Sequence, residues 1–344
     1  MKWTVLAVFA VLCCVTLIGW HPAQAVSLPA NQAILAAKAK PPKPTKTPKP
    51  ILAPEREIWP VLPPLDGEGF LLAQEGEFIH ADGEHGLWLY KTKDLQVEIQ
   101  RYADPNKPLI WYESVICFKG DQHLKSVLSN PEKPGTKFKH PETIARKNRL
   151  VFSVSDDYFG DRKSHKLTQG IIIRNGKIIS DQTLKNDAGS FPNLETMALF
   201  PDGSLKVFKS KEHTAEEYLA MGATDVFAFG PILIRDGIAN EAIFKKNRNL
   251  EPRNVFGMVA PNHYVSIVVE GRHEKSKGTG LPWIAQRMME LGVTQALNLD
   301  GGQTVALVFM GEKINTTGKF GPKSNIRSLS GMLGAGISEN VPAE

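Results

Sequence analysis

The chain has 344 residues, 42% hydrophobic and 22% charged, a composition that excludes a disordered or collagen-like chain and fits a folded globular protein. Its formal charge of +5 comes from one place: residues 1–50 hold six lysines and no arginine or acidic residue, and removing those six from +5 leaves −1 for the rest. A nearly neutral globular part excludes nucleic acid as an expected partner.

In chain order, residues 1–25 have the layout of a secretory signal. Lys2 is the positive start, Thr4 to Ile18 the apolar run, and Ala23-Gln24-Ala25 the small-residue cleavage site, so export to the cell surface or beyond is expected. Residues 26–64 form a linker whose Pro41-Pro42-Lys43-Pro44 run cannot make helix or sheet, because proline lacks an amide donor. Its lysines suit a spacer, or a spacer that rests on anionic cell wall or membrane. Export leaves a single cysteine, Cys117, so the domain at 65–344 has to be held by its core and not by a disulfide.

Within that domain, Asn175-Gly176 separates two isoleucine-rich runs, while Asp202-Gly203 and Asp236-Gly237 follow strand-like segments; all three predict tight returns of the chain. Thr214 and Glu217 form a capping-box pattern ahead of a helix that Gly222 ends. A second helix is predicted from about Pro282, with Ile284, Met288 and Leu291 on one face and Gly292 at its end. The expected fold is a single α+β domain with a large mixed, mainly hairpin-built sheet and a few flanking helices.

Val265–Val269 reads as a buried strand ending in Glu270-Gly271-Arg272, and Val293–Leu299 as another ending in Asp300-Gly301-Gly302. Two carboxylates thus stand at the carboxyl ends of strands, each followed by glycine, where a ligand can approach the main chain closely. Arg253 and Arg272 add guanidinium forks of the type that grip phosphate. By themselves these features also fit an ordinary Asp-Gly turn and a structural ion pair.

Asn298-Leu299-Asp300-Gly301-Gly302 resembles the hallmark of the phosphodiester glycosidase family, in which the strand usually ends Asn-Leu-Asp-Gly-Gly-Gly-Ser. Here Gln303-Thr304 replaces Gly-Ser. Pro252-Arg253-Asn254 resembles the family's Pro-Arg-Thr, and Glu270-Gly271-Arg272 its Asp-Gly-Arg. Asp157-Tyr158-Phe159-Gly160 with Arg174-Asn175-Gly176 resembles Asn-Gly-Asp-Tyr-Tyr-Gly and Arg-Asn-Gly, except that Ser155-Asp156 replaces Asn-Gly. Arg327-Ser328 resembles the closing Arg-x-Val-Ser. These blocks keep family order over about residues 95–335.

The resemblance implies hydrolysis of the glycosidic C–O bond of a sugar-1-phosphodiester, a glycosyl-phosphate small molecule or an envelope polymer. It implies Asp300 and Glu270 as catalytic carboxylates, without saying which does what. It implies substrate contacts from Arg253, Arg272, Asn298, Gly301, Gly302, Thr304, Asp156, Asp157 and Arg327. No cofactor is expected, although a divalent cation among Asp156, Asp157 and Asp300 is left open. Two other readings compete: a non-catalytic binder of envelope glycan phosphates, and a metal-dependent phosphodiesterase, which would call for clustered ligands where the histidines here are scattered.

Overall fold

Turn chemistry dictates much of the architecture. Asn175 and Gly176 both take left-handed backbone, φ 50° and 71°, as do Asp236 and Gly237 at 53° and 74°. Two such residues in a row make the turn whose twist matches paired antiparallel strands. The first joins Ile171–Arg174 to Lys177–Asp181, the second Ile232–Arg235 to Ile238–Ala239. The Asp202-Gly203 return likewise links Glu195–Leu199 to Leu205–Phe208.

The computed structural model describes residues 60–73, 76–182, 194–318 and 327–344, all in the unit Pro50–Glu344. The signal sequence and the linker up to residue 59 lie outside the described residues. Nine strands form the largest sheet, in the order Phe78–Asp82, Leu87–Lys91, Leu95–Ala103, Ile110–Phe118, His263–Val269, Arg253–Ala260, Gln295–Leu299, Ile232–Arg235, Ile238–Ala239. A five-stranded sheet is built around Glu195–Leu199 and Asp225–Phe229, and another around Leu150–Ser155 and Gly331–Ile337. The α+β class is as expected. The described strands divide into three sheets rather than one mixed sheet, and the ladders between them are antiparallel: short returns pair Glu195–Leu199 with Leu205–Phe208 and Arg253–Ala260 with His263–Val269, while a long connection brings Gly331–Ile337 beside Leu150–Ser155.

Alternation along the large sheet assigns its two faces. Phe256, Tyr264, Val268 and Leu297 point into a central core shared with Phe152, Met197, Phe227 and Leu333 of the smaller sheets. Val255, Val265, Ile267 and Val269 point the other way, onto Ile243, Leu281, Ile284 and Met288 of two helices, Glu241–Lys245 and Leu281–Glu290. Burying both faces explains why these strands read as nearly continuous apolar runs. The predicted stripe Ile284–Met288 is fully buried, Leu291 packs at its edge, and Gly292 ends the helix at φ 75°. The Thr214 capping box forms as expected, with Thr214 and Glu217 each accepting the other's backbone N–H.

Candidate active site

Register brings the ends of three strands together. Arg253 lies opposite Val269, and Asn254 opposite both Val268 and Leu299, so Glu270 and Asp300 leave the sheet on either side of one strand. Leu150–Ser155 arrives from a smaller sheet, and the Asp300 N–H donates to the Asp156 carbonyl at 2.9 Å. Asn254 Nδ2 donates to the Ser155 carbonyl at 2.6 Å and to its hydroxyl at 3.1 Å. Two sheets are thereby tied at the level of the Asp300 backbone.

The loop after Asp300 needs its glycines. A Cβ on Gly301 would stand 2.8 Å from the Pro252 carbonyl oxygen. Gly302 adopts φ 61° and donates to that same oxygen at 2.9 Å. Gln303, the departure from the family pattern, accepts from Arg272 Nη1 at 3.1 Å and donates to the Gly318 carbonyl at 2.9 Å. It fastens the loop where glycine would leave it loose.

The expected site residues separate into two groups. Asp300, Thr304, Asp156, Asp157 and Arg327 gather on one side. The Asp300 carboxyl is buried, its Oδ2 has no hydrogen-bond partner among the described residues, and burial raises it from 3.8 to about 7 against the pull of a Thr304 hydrogen bond and of the Arg327 and Arg162 charges. Arg327, at the exposed rim, donates to Tyr158 Oη at 2.8 Å and reaches Thr304 Oγ1 at 3.5 Å. Asp157 lies deeper, bound by Arg174 at 2.9 Å and by the Ala228 N–H at 3.0 Å. Asp156 stands 3.4 Å from the same Arg174, and burial with the neighbouring Asp157 charge pushes its carboxyl up. Among the described residues no three His, Cys, Asp or Glu side chains are grouped to hold a metal ion. The Asp156 and Asp157 carboxylates face a guanidinium instead.

Glu270 anchors the second group. Its Oε1 accepts from Tyr112 Oη at 3.0 Å and from the Thr316 N–H at 2.6 Å, while Oε2 stands 3.2 Å from His273 Nε2. Arg272 pairs with Glu251 at 2.9 Å, and Arg253 donates to the carbonyls of Thr279 at 3.3 Å and Asn249 at 3.1 Å. Asn298 donates to the Gly230 carbonyl at 2.8 Å, and its buried Oδ1 has no partner among the described residues. Of the two arginines read as phosphate forks, Arg272 reaches Gln303 on the loop after Asp300 and Arg253 is held by carbonyls, and the cations acting on Asp300 most strongly are Arg327 and Arg162. Arg162 escaped the sequence reading. It is fully buried in the short helix Phe159–Ser164, where Nη2 donates to the carbonyls of Gln169 and Ala228. Its one signal was its place five residues after Asp157.

The sequence profile described as phosphodiester glycosidase matches residues 148–335, more than half of the chain. A Bacillus subtilis (strain 168) relative, the SPbeta prophage-derived uncharacterized protein YomE, is 27% identical over 176 residues, which are 50% of this chain and 26% of that protein. The match therefore spans about a quarter of that relative's length. The catalytic domain of zebrafish N-acetylglucosamine-1-phosphodiester alpha-N-acetylglucosaminidase, solved in a form auto-inhibited by its pro-peptide, superposes with a TM-score of 0.55 at 17% identity, over 75% of this chain and 87% of that one. At that identity the likeness is one of fold.

Proposed function

This chain belongs to the phosphodiester glycosidase family, and from that premise we propose that it hydrolyses the glycosidic C–O bond of a sugar-1-phosphodiester in the cell envelope or an exopolysaccharide. The observation that carries the reading is Asp300: a buried strand-end carboxyl with one oxygen unpartnered among the described residues and a pKa near neutrality, backed by arginine. Structural carboxylates are normally saturated with donors. One held short of saturation has capacity left for a substrate.

The chemistry suits such a group. When the anomeric C–O bond breaks, the leaving group is a phosphate monoester, already stable as an anion, so strong acid assistance matters less than for an ordinary glycoside. What remains to be supplied is a negative charge near the developing cation on the sugar, or a base for water, and a cation on the phosphate. Ionised Asp300 fills the first role and Arg327, at the rim, the second. Glu270, whose Oε1 accepts from both Tyr112 and Thr316, positions the loops around Asp300 and takes no proton in this scheme. The secretory layout of residues 1–25 supports placing the reaction outside the cytoplasm.

Hydrolysis of UDP-N-acetylglucosamine and of simpler sugar phosphodiesters in ¹⁸O-labelled water tests the reading. Label in the released sugar is the expected result. Label in the phosphate would mean P–O cleavage, and binding without product would mean a glycan-phosphate binder.

A further inference from the structure

We infer that the loops bordering the strand ends form a cationic apron that holds a repeating phosphodiester glycan, gripping phosphates beyond the one at the reacting sugar. The inference rests on the reading of the Asp300 site given above and names its substrate as a polymer.

Three loops are stitched into one surface there. Glu251 and Thr279 exchange backbone hydrogen bonds, and the Leu281 N–H donates to the Asn247 carbonyl at 3.0 Å, which joins segment 245–253 to segment 271–280. The Lys277 N–H donates to the Pro108 carbonyl at 2.8 Å, adding the turn that carries Lys107. A Cβ on Gly278 would fall 2.4 Å from the Glu251 backbone, so the first two loops touch main chain to main chain. The inner edge of this surface is the catalytic loop itself, through the bond from Gly302 to the Pro252 carbonyl.

The charges on it are left open. Lys245, Lys246, Lys275 and Lys277 are exposed, and none has an ion-pair partner among the described residues. Arg248 is held by the Phe244 carbonyl, at 3.0 Å and 2.6 Å, as Arg253 is by those of Asn249 and Thr279. A carbonyl fixes a guanidinium without cancelling its charge. Arg272 pairs with Glu251, whose charge also acts on Arg253, and exposed Glu274 is the one other acid in segments 245–253 and 271–280. Such a concentration of positive charge stands out on a globular part whose sequence is nearly neutral overall.

A single phosphate needs one fork, and cations spread over three loops suit a chain that repeats its charge. Single-stranded nucleic acid is held by stacking on aromatic rings as well as by charge, and no aromatic side chain is among the exposed large hydrophobics of the described residues. A membrane surface calls for an apolar face, and Leu250 is the one large exposed apolar side chain in segments 245–253 and 271–280. A glycan with phosphate in every repeat meets the apron's charge without either requirement.

The experiment measures binding to the full chain carrying Asp300→Asn, so that the probe survives whatever chemistry the site performs. Probes are oligomers of N-acetylglucosamine-1-phosphate with one, three and six repeats, a deoxythymidine oligonucleotide of equal charge, and phosphatidylglycerol vesicles. Affinity is expected to rise at least about tenfold from one repeat to six, with a salt dependence that steepens with length. Combining Lys245→Glu, Lys246→Glu, Lys275→Glu and Lys277→Glu is expected to remove that gain and flatten the salt dependence, while the same four changed to Arg keep it. Affinity independent of repeat number, or unmoved by charge reversal, overturns the inference. So does tighter binding of the oligonucleotide or the vesicles, which would assign the surface to nucleic acid or membrane. Because no turnover is read, these outcomes are separate from the isotope test of the reaction.

Discussion

Asp300 and Glu270 are the same sentence written twice in the sequence: an apolar strand, a carboxylate at its carboxyl end, then glycine. In the folded chain they are opposites. Glu270 receives a tyrosine hydroxyl and a backbone amide on one oxygen and stands against a histidine with the other. Asp300 keeps a buried oxygen with no partner among the described residues, and its carboxyl rises to about 7. Identical local grammar gives one carboxylate oxygen two donors in one place and leaves a buried oxygen without a partner among the described residues in the other, because the donors come from distant parts of the chain. Tyr112 and Thr316 reach Glu270, whereas the strand-end loop that follows Asp300 turns its amides to Pro252 and Gly301.

The largest expected effect breaks the comparison directly. Asp300→Asn keeps size and turn geometry but removes the charge, and a loss of about 10² to 10⁴ in kcat with ligand affinity retained is expected in steady-state kinetics. Near wild-type turnover would return Asp300 to the status of a turn residue. Glu270→Gln is expected to do the reverse: about 2 kcal/mol lower stability in denaturant unfolding, through weakened charge-assisted hydrogen bonds, with kcat falling less than about tenfold.

A third expectation concerns pH. Asp300 is raised from 3.8 to about 7, so between those values the folded state binds a proton that the unfolded state has released. Stability from this group is therefore greatest at the acidic end of the window and is lost as pH rises through it. Asp300→Asn removes the penalty, and its melting temperature is expected to exceed the wild type's by more at pH 8 than at pH 5. The kcat/KM of the wild type, needing ionised Asp300, is expected to climb with pH and level off above about 7. The smallest effect sharpens the contrast: Thr304→Ala deletes the hydrogen bond that holds the Asp300 carboxyl down and moves that limb to higher pH. Tyr112→Phe at the other carboxylate is expected to leave the limb in place and to cost about 1 kcal/mol of stability.

What the sequence determined by itself was local. Asn175-Gly176 and Asp236-Gly237 fixed their hairpins because few other residues accept consecutive left-handed backbone, and Thr214 with Glu217 fixed a helix start because the capping partners lie three residues apart. The block from Asn298 to Gly302, met with several others in family order, was enough to point to the family. The division of the strands into three sheets was not legible, since an apolar run does not say which sheet it joins. Nor were the partners of the charged groups. Arg253 and Arg272 looked equally suited to phosphate, yet one is held by the carbonyls of Asn249 and Thr279 and the other by Glu251, while buried Arg162 acts on Asp300 from a helix that carried no such signal. Backbone conformation depends on neighbours along the chain, and sequence records those neighbours. The state of a buried charge depends on which donors and ions surround it in space, and only the packing of three sheets against one another brought Ser155, Asn254, Asp300 and the arginines to the same place.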